Sequence, residues 1–214
     1  MAGAAGPLDE HDSKRLLSAW GVPVAAERVV ADPAALKAAG SALGWPLVLK
    51  GLAPGDVHKT EAGLVRLGLN GPKAAAAAWA ELAAALGGTG RILAQTQVRG
   101  TLELMAGFLR DPQLGPCVMV GLGGVFAEAL EDRAFAVAPL GRGEALALIR
   151  RLRGQRLLDG FRGAAPLDRE ALAGILTALG ELGRACPRIR EIDVNPLIVV
   201  QGHPVAVDAV VVLD

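Results

Sequence analysis

The most constraining feature of this 214-residue chain is a pair of apolar runs at its end, Glu191 to Val200 and Val205 to Leu213, separated by Gln201-Gly202-His203-Pro204. Two such runs across a short Gly- and Pro-marked link read as a β-hairpin. The second run is apolar on both faces, yet it contains Asp208. A lone carboxylate there costs on the order of several kcal/mol unless it is paired or ligated. With the turn centred on Gly202-His203, Asp208 falls opposite Leu197 and diagonal to Asn195. The period-two alternation of strands then brings Asp193, Asn195 and Asp208 to one side. Two carboxylates and an amide oxygen suit a hard cation such as Mg²⁺ that also holds substrate phosphates. In the alternative, Asp208 caps a neighbouring backbone group and Asn195-Pro196 is merely a turn. A three-residue loop would reverse the parity and separate the three residues.

Upstream, helical and strand patterns alternate. Leu8 to Trp20 reads as a helix with Leu16, Leu17 and Trp20 on one stripe, stopped by Gly21-Val22-Pro23. A strand follows from Val24 to Val30, and Asp32-Pro33 opens a helix that runs to Gly44. Leu47 to Lys50 is a buried-type strand ending on a lysine. Gly51 to Glu61 is a polar loop, Leu64 to Leu69 a strand, Lys73 to Leu86 an alanine-rich helix and Arg91 to Val98 a strand. From Leu102 successive strands form an antiparallel-looking block: Leu102 to Leu109, Cys117 to Val120, Val125 to Leu130 and Phe135 to Ala138. Two helices follow, near Gly143 to Arg153 and from Asp168 to Ala185. The sum is an α+β chain in two halves, residues 1–100 and 101–214.

Composition narrows the function classes. Hydrophobic residues at 52% and charged residues at 21% describe a globular protein with a real core. The 22 basic and 22 acidic residues cancel, so no bulk charge draws the chain to nucleic acid or to an anionic membrane. Aromatics at 3% with no Tyr leave few stacking platforms for single strands. Cys117 and Cys186 make neither a disulfide framework nor a Cys-rich zinc site, and a reducing cytoplasm is expected. The start has neither a basic n-region nor an apolar h-region, so secretion is not expected.

Other residues suggest phosphate chemistry. Lys50, at the exit of an apolar strand, can aim a compact charge at a phosphate or snorkel at a strand end. His58-Lys59 adds a second cation and a nitrogen able to attack phosphorus, although a solvated loop has the same look. Gly121-Leu122-Gly123-Gly124 allows close backbone approach to a phosphate or a partner. The strand-like Val125 to Leu130 after it argues against a dinucleotide-binding fingerprint, and Lys59-Thr60 lacks the glycines of a Walker A loop.

In order along the chain, these motifs resemble the ATP-grasp nucleotide-binding domain of NDP-forming acyl-CoA synthetases, similar to the β subunit of succinyl-CoA synthetase. The resemblance rests on Pro46 to Lys50, Asp56 to Gly63, Arg110 to Pro116, Gly121 to Glu128, Gly160-Phe161-Arg162-Gly163, Glu191 to Leu197 and Val207-Asp208-Ala209. It spans the chain from about Asp12 to the end. Gln95-Thr96-Gln97-Val98 stands where the family commonly has Gln-Glu-Met-Val; Leu64 replaces a glycine and Leu114 an aromatic.

The resemblance implies an ATP-grasp fold with adenine nucleotide between two α+β subdomains and Mg²⁺ held from the C-terminal one. Carried over, Lys50 matches the phosphate-contacting lysine, Asn195 and Asp208 the metal ligands, Asp193 a nearby acidic support, and His58 a histidine that relays phosphoryl. Lys59, Gln95, Val98, Glu103 and Glu128 complete the implied nucleotide-binding set, and Arg162 matches a recurrent family position. The implied reaction converts acyl-CoA, phosphate and ADP reversibly to free acid, CoA and ATP through an acyl phosphate and a phosphohistidine. The chain is too short to carry the CoA-binding and ligase domains, so the partner implied is a CoA-binding α subunit or domain in a hetero-oligomer or longer polypeptide. A second reading is a nucleotide-sensing module of the same fold that regulates an acyltransferase without turnover. A third is a scaffold with a degenerate site.

Overall fold

The structure, a computed structural model, describes residues 5–52, 63–124, 131–160 and 163–214. The elements begin with β1 (Gly6–Pro7), α1 (Glu10–Ala19), β2 (Glu27–Val30), α2 (Pro33–Leu43), β3 (Leu47–Leu52) and β4 (Val65–Leu69). They continue with α3 (Pro72–Leu86), β5 (Arg91–Thr96), β6 (Leu102–Asp111), β7 (Gly115–Leu122), β8 (Arg133–Val137) and α4 (Arg142–Arg150). The last are α5 (Gln155–Leu158), α6 (Arg169–Ala185), β9 (Ile189–Val200), β10 (His203–Ala206) and β11 (Ala209–Leu213). The chain is α+β and forms two compact units, Ala25–Val98 and Met1–Val24 with Arg99–Asp214.

In the smaller unit the order of the four-stranded sheet is β2-β5-β3-β4, all antiparallel. Leu47, Leu49, Ile92 and Ala94 alternate toward Leu36 and Ala39 of α2 and toward Ala75, Ala78, Leu82 and Leu86 of α3. Local chemistry starts and stops these helices. The Asp32 carboxylate accepts the Ala35 N–H at 2.7 Å with Pro33 in the first turn, and Gly87, at φ 56°, ends α3 in the left-handed region.

In the larger unit a seven-stranded sheet runs β1-β11-β9-β6-β7-β8, with β10 also paired to β9. One face packs Leu104, Ala106, Phe108, Val118, Val120, Ile192, Val194, Leu197 and Val211 against Leu148 and Ile149 of α4 and Leu172, Ile175, Leu176 and Leu179 of α6. Each fully buried side chain of this kind contributes about 1.5–3 kcal/mol. That face therefore carries the stability, while the alternate positions mix acidic residues such as Glu191 and Asp193 with apolar ones such as Met105 and Met119. Arg110 ties sheet to helix, donating from Nε to Ile189 O at 2.8 Å and from Nη2 to Gly183 O at 2.6 Å. Asp111 accepts the Gln113 and Leu114 N–H groups at 2.8 Å, closing the β6–β7 turn.

Several expectations change. Residues up to Val24 belong with the C-terminal unit rather than with the first hundred residues. The reason is the outer edge of the terminal hairpin, whose backbone groups need partners. Gly6 and Pro7 pair with Leu213 and Val212, the Leu8 N–H donates to Val211 O at 2.8 Å, and the Ala206 N–H donates to Pro23 O at 2.9 Å. Val24 accordingly bridges to Ala206, and the first strand of the smaller unit begins only at Glu27. Because α1 lies on that edge, its buried stripe is Glu10, Ser13, Lys14 and Leu17, whereas Leu16 is half-buried and Trp20 exposed. Strand β3 continues past Lys50 to Leu52, and α5 was not legible in the sequence. The expected strand Val125 to Leu130 lies outside the described residues.

Arg110→Ala removes the donors to both carbonyls and is expected to destabilise the protein by about 2 kcal/mol. Thermal or urea unfolding checks this, and an unchanged midpoint would show that the carbonyls find other donors.

Candidate functional site

The turn of the terminal hairpin is Gln201-Gly202, not Gly202-His203: His203 pairs with Val200, Val205 with Ile198 and Ala206 with Leu197. Gly202 takes φ 90°, where a Cβ would meet Pro166 O at 2.6 Å, so the position requires glycine. The register thus differs by two residues from the expected one, which leaves the parity unchanged. Asp208 lies directly opposite Asn195, whose N–H donates to Asp208 O at 3.3 Å, while the Val207 N–H donates to Pro196 O at 3.1 Å.

Regular alternation breaks at this point on both strands. In β9, Ile192 and Val194 face the core, and so do Leu197 and Val199. In the facing strands Ala206 is a core residue, and so are Ala209 and Val211. Asn195-Pro196 and Val207-Asp208 therefore form a matched irregularity, and the β6–β9 register shifts between Leu104 and Ala106 beside it. Such bulges re-aim side chains. Glu191, Asp193 and Asn195 are exposed and Asp208 is half-buried. These side chains stand on the face away from α4 and α6. Next to Asp193 in β6 is Gly107, where a Cβ would approach Ile192 O to 2.8 Å.

The Asp193 residue keeps exposed surface, but its carboxyl group is crowded. Desolvation first, then the charges of Glu191 and Asp208, push it up to about 6. Accumulated carboxylate charge of this kind is what a cation relieves, and the donors are hard oxygens. Among the described residues no three His, Cys, Asp or Glu side chains form a closed metal cage. Two carboxylates with an amide form an open set, the kind that leaves room for waters and phosphates around Mg²⁺. The donor set therefore fits that ion. Glu191 was missed in the sequence, although its two-residue spacing from Asp193 on a strand was the available signal.

The smaller unit presents a second set. Val48, Lys50, Leu93 and Gln95 alternate away from its helical core, with Lys50 paired to Leu93 and Val48 to Gln95. Lys50 is 7% exposed and Gln95 2%. Gln97 accepts the Gly68 N–H at 2.9 Å, and Val98 is half-buried at the end of the unit. Glu103 stands on β6 in the larger unit. The close approach made by Gly123 and Gly124 is to this residue: the Gly123 N–H donates to Glu103 O at 2.8 Å, and a Cβ on Gly124 would lie 2.9 Å from Glu103 Oε2. His58, Lys59, Glu128 and Arg162 lie outside the described residues.

Two antiparallel sheets, each packed by helices on one face and joined in this chain order, define the class. Residues 2–213 match the family model of the ATP-grasp domain, and the chain belongs to that family. More narrowly, it is 36% identical over 97% of its length to the β subunit of ADP-forming acetate–CoA ligase I from Pyrococcus furiosus, spanning 92% of that subunit. It is 34% identical over 92% of its length to ADP-forming acetate–CoA ligase I from Archaeoglobus fulgidus, a longer chain of which it matches 30%. Among solved structures it is similar to the dinucleotide-forming acetyl-coenzyme A synthetase 1 of Ca. Korarchaeum cryptofilum, at TM-score 0.85 and 36% identity, covering 97% of this chain and 93% of that one. That structure holds coenzyme A and Mg-AMPPCP, with its phosphohistidine segment pointing towards the nucleotide binding site. Among the described residues of the present chain no helix is long and apolar enough to cross a membrane.

The raised Asp193 group makes a stability prediction for the metal-free protein. The folded chain binds this proton more tightly than the unfolded chain, so the contribution is complete below the ordinary value of 3.8 and is lost as pH rises through about 6. Asp193→Asn should therefore melt higher than the native protein in EDTA at about pH 7.5, with the gap closing toward about pH 4. Differential scanning fluorimetry across that range checks it, and coincident curves at the higher pH would remove the crowding.

Proposed function

We propose that this chain is the nucleotide-binding component of an ADP-forming acyl-CoA synthetase. It moves phosphoryl between ADP or ATP and a phosphohistidine on a CoA-binding partner chain or domain. The observation that carries this reading is the Asn195–Asp208 pairing, with Asp193 on the same face, in a chain of the ATP-grasp family.

In the direction of ATP formation an oxygen of the ADP β-phosphate attacks phosphorus, and the P–N bond to histidine breaks. The released imidazole nitrogen keeps the electron pair and takes a proton. Reaction of this type is governed by positioning and charge neutralisation. Asn195 and Asp208 would hold Mg²⁺, with Asp193 supporting from the neighbouring position. The ion supplies charge neutralisation at the phosphate oxygens. Lys50 places its ammonium against the phosphates, from a strand position that alternates away from the helical core of the smaller unit. Gln95 and Val98 contact the base, and Lys59, Glu103 and Glu128 complete the nucleotide site. His58 receives the phosphoryl group from the partner's histidine and delivers it to ADP. The CoA-binding and ligase functions belong to the partner, and the composition of the chain fits a place in the cytoplasm.

Three variants separate these roles. Asp208→Ala should abolish the additional thermal stabilisation by ADP that depends on Mg²⁺ while circular dichroism stays unchanged, and retained Mg²⁺ dependence would remove the metal assignment. Lys50→Met should weaken ADP binding at least about tenfold, the loss of one charge-assisted contact of about 1.4 kcal/mol or more. With a phosphorylated CoA-binding partner, the native chain should form ATP from ADP, whereas His58→Ala should bind ADP and form none. Full turnover by that variant would dismiss the relay. Nucleotide binding without any transfer by the native chain would leave a nucleotide sensor.

A further inference from the structure

Helix α1 carries a buried ion pair that the site described above does not use. Lys14 Nζ lies 2.7 Å from Glu10 Oε1, and both side chains are 0% exposed. A pair one helical turn apart is ordinary on a solvated face, where it contributes little. Taken out of water, the same pair is not a stabilising device: apolar residues of similar volume commonly serve as well or better. Its place in the fold indicates another use. Lys14 Nζ also donates to Val207 O at 3.3 Å, across 193 residues of sequence. The residue just before it in the helix, Ser13, is also buried, and its Oγ accepts the Val211 N–H at 3.0 Å. The helix thus grips the hairpin at two points, one inside the regular part of β11 and one at its irregularity.

Val207 O belongs to the peptide group that joins Val207 to Asp208. On the hairpin side this junction is held by the Val207 N–H on Pro196 O and by the Asn195 N–H on Asp208 O, at 3.1 and 3.3 Å. These bonds set the distance between the strands, and regular pairing resumes only at Ala209. The bond from Lys14 fixes the direction of the Val207 carbonyl. The direction of that carbonyl sets the plane from which the Asp208 Cα, and hence its carboxylate, projects. Glu10 in turn holds the Lys14 ammonium at one end of its reach, so a flexible four-carbon chain becomes a fixed donor.

We propose that Lys14, locked by Glu10, is a positioning residue that orients the Val207–Asp208 peptide so that the Asp208 carboxylate meets Asn195 in the geometry needed to hold Mg²⁺ with nucleotide phosphate. This inference rests on the assignment of Asp208 and Asn195 as the Mg²⁺-holding pair. Its consequence is selective. Loss of the Lys14 bond leaves the surfaces that contact the nucleotide itself in place and misdirects one magnesium-holding carboxylate.

The test compares the full-length chain with Lys14→Met, with the volume-matched double variant Glu10→Met/Lys14→Met, with Asp208→Asn, and with Asp208→Asn combined with Lys14→Met. Isothermal titration measures ADP binding in EDTA and across a Mg²⁺ series. The expected result is a midpoint for Mg²⁺ raised about tenfold or more in both Lys14 variants, with ADP affinity in EDTA within about twofold of native. The Asp208→Asn background should show no further loss when Lys14→Met is added, as for two residues acting through one point. A general structural role predicts instead that binding in EDTA falls in parallel, which would overturn the proposal, as would a native-like Mg²⁺ midpoint. If the native chain shows no Mg²⁺ dependence, the metal assignment itself fails; if Asp208→Asn loses it and the Lys14 variants keep it, only the positioning role fails. Should the Lys14 variants not fold, nitrogen-15 NMR of the lysine ammonium groups in the native chain decides the matter. The buried Lys14 resonance should shift on adding Mg²⁺ with ADP and not with ADP in EDTA, and an unmoved signal overturns the proposal.

Discussion

Strand β9 has to satisfy two neighbours at once, β6 on one side and the β10–β11 strand on the other, and most of the larger unit follows from how it does so. Its inward residues, Ile192, Val194, Leu197 and Val199, can all reach the helices only if the alternation slips once between Val194 and Leu197. The facing strand slips at the matching place, between Ala206 and Ala209. Since both strands slip together, the pairing continues in register beyond the irregularity. The apolar residues on either side stay inward, and the four residues of the kink are released from the regular pattern. Asn195 and Asp208 are two of those four. Hydrophobic burial on one face thus creates the polar site on the other.

That site is unfavourable to itself. Desolvation and the charges of Glu191 and Asp208 hold the Asp193 carboxyl well above the ordinary carboxylate range. Repulsion of this kind recurs where function needs charge concentrated before its counterion arrives. The surrounding fold contains the repulsion: the N-terminal segment closes the outer edge of the hairpin with Gly6, Pro7, Leu8 and Pro23, and α1 reaches it with Ser13 and Lys14. The N-terminal twenty-odd residues therefore serve the larger unit, although the chain then leaves to build the smaller one.

The smaller unit follows the same division of labour. Its helices bury Leu47, Leu49, Ile92 and Ala94, and the alternate positions of the same strands carry Lys50 and Gln95. In each unit the side chains proposed for the nucleotide and its metal stand at strand positions alternate to those that pack on the helices. Relatives occur both as a subunit of nearly this length and as a longer chain, so the same unit works detached or joined.

Much was legible in the residues themselves. Asp32-Pro33 and Asp168 start helices because their carboxylates accept local N–H groups, and the apolar terminal runs pair because nothing else buries them. The common face of Asp193, Asn195 and Asp208 followed from parity, which a register error of two residues does not alter. The direct opposition of Asn195 and Asp208 did not follow, because a matched slip in two strands depends on packing against helices far away in sequence. Nor did the affiliation of residues up to Val24, or the inward turn of Glu10 and Lys14 in place of Leu16 and Trp20. A helix chooses its buried stripe by what it lies against, and here that includes the Val207 carbonyl and the Val211 N–H, which Lys14 and Ser13 meet and apolar side chains cannot. The sequence by itself determined the elements and the residue types available for the site. Only the tertiary structure decided which of them meet, because the partners of β11 come from opposite ends of the chain.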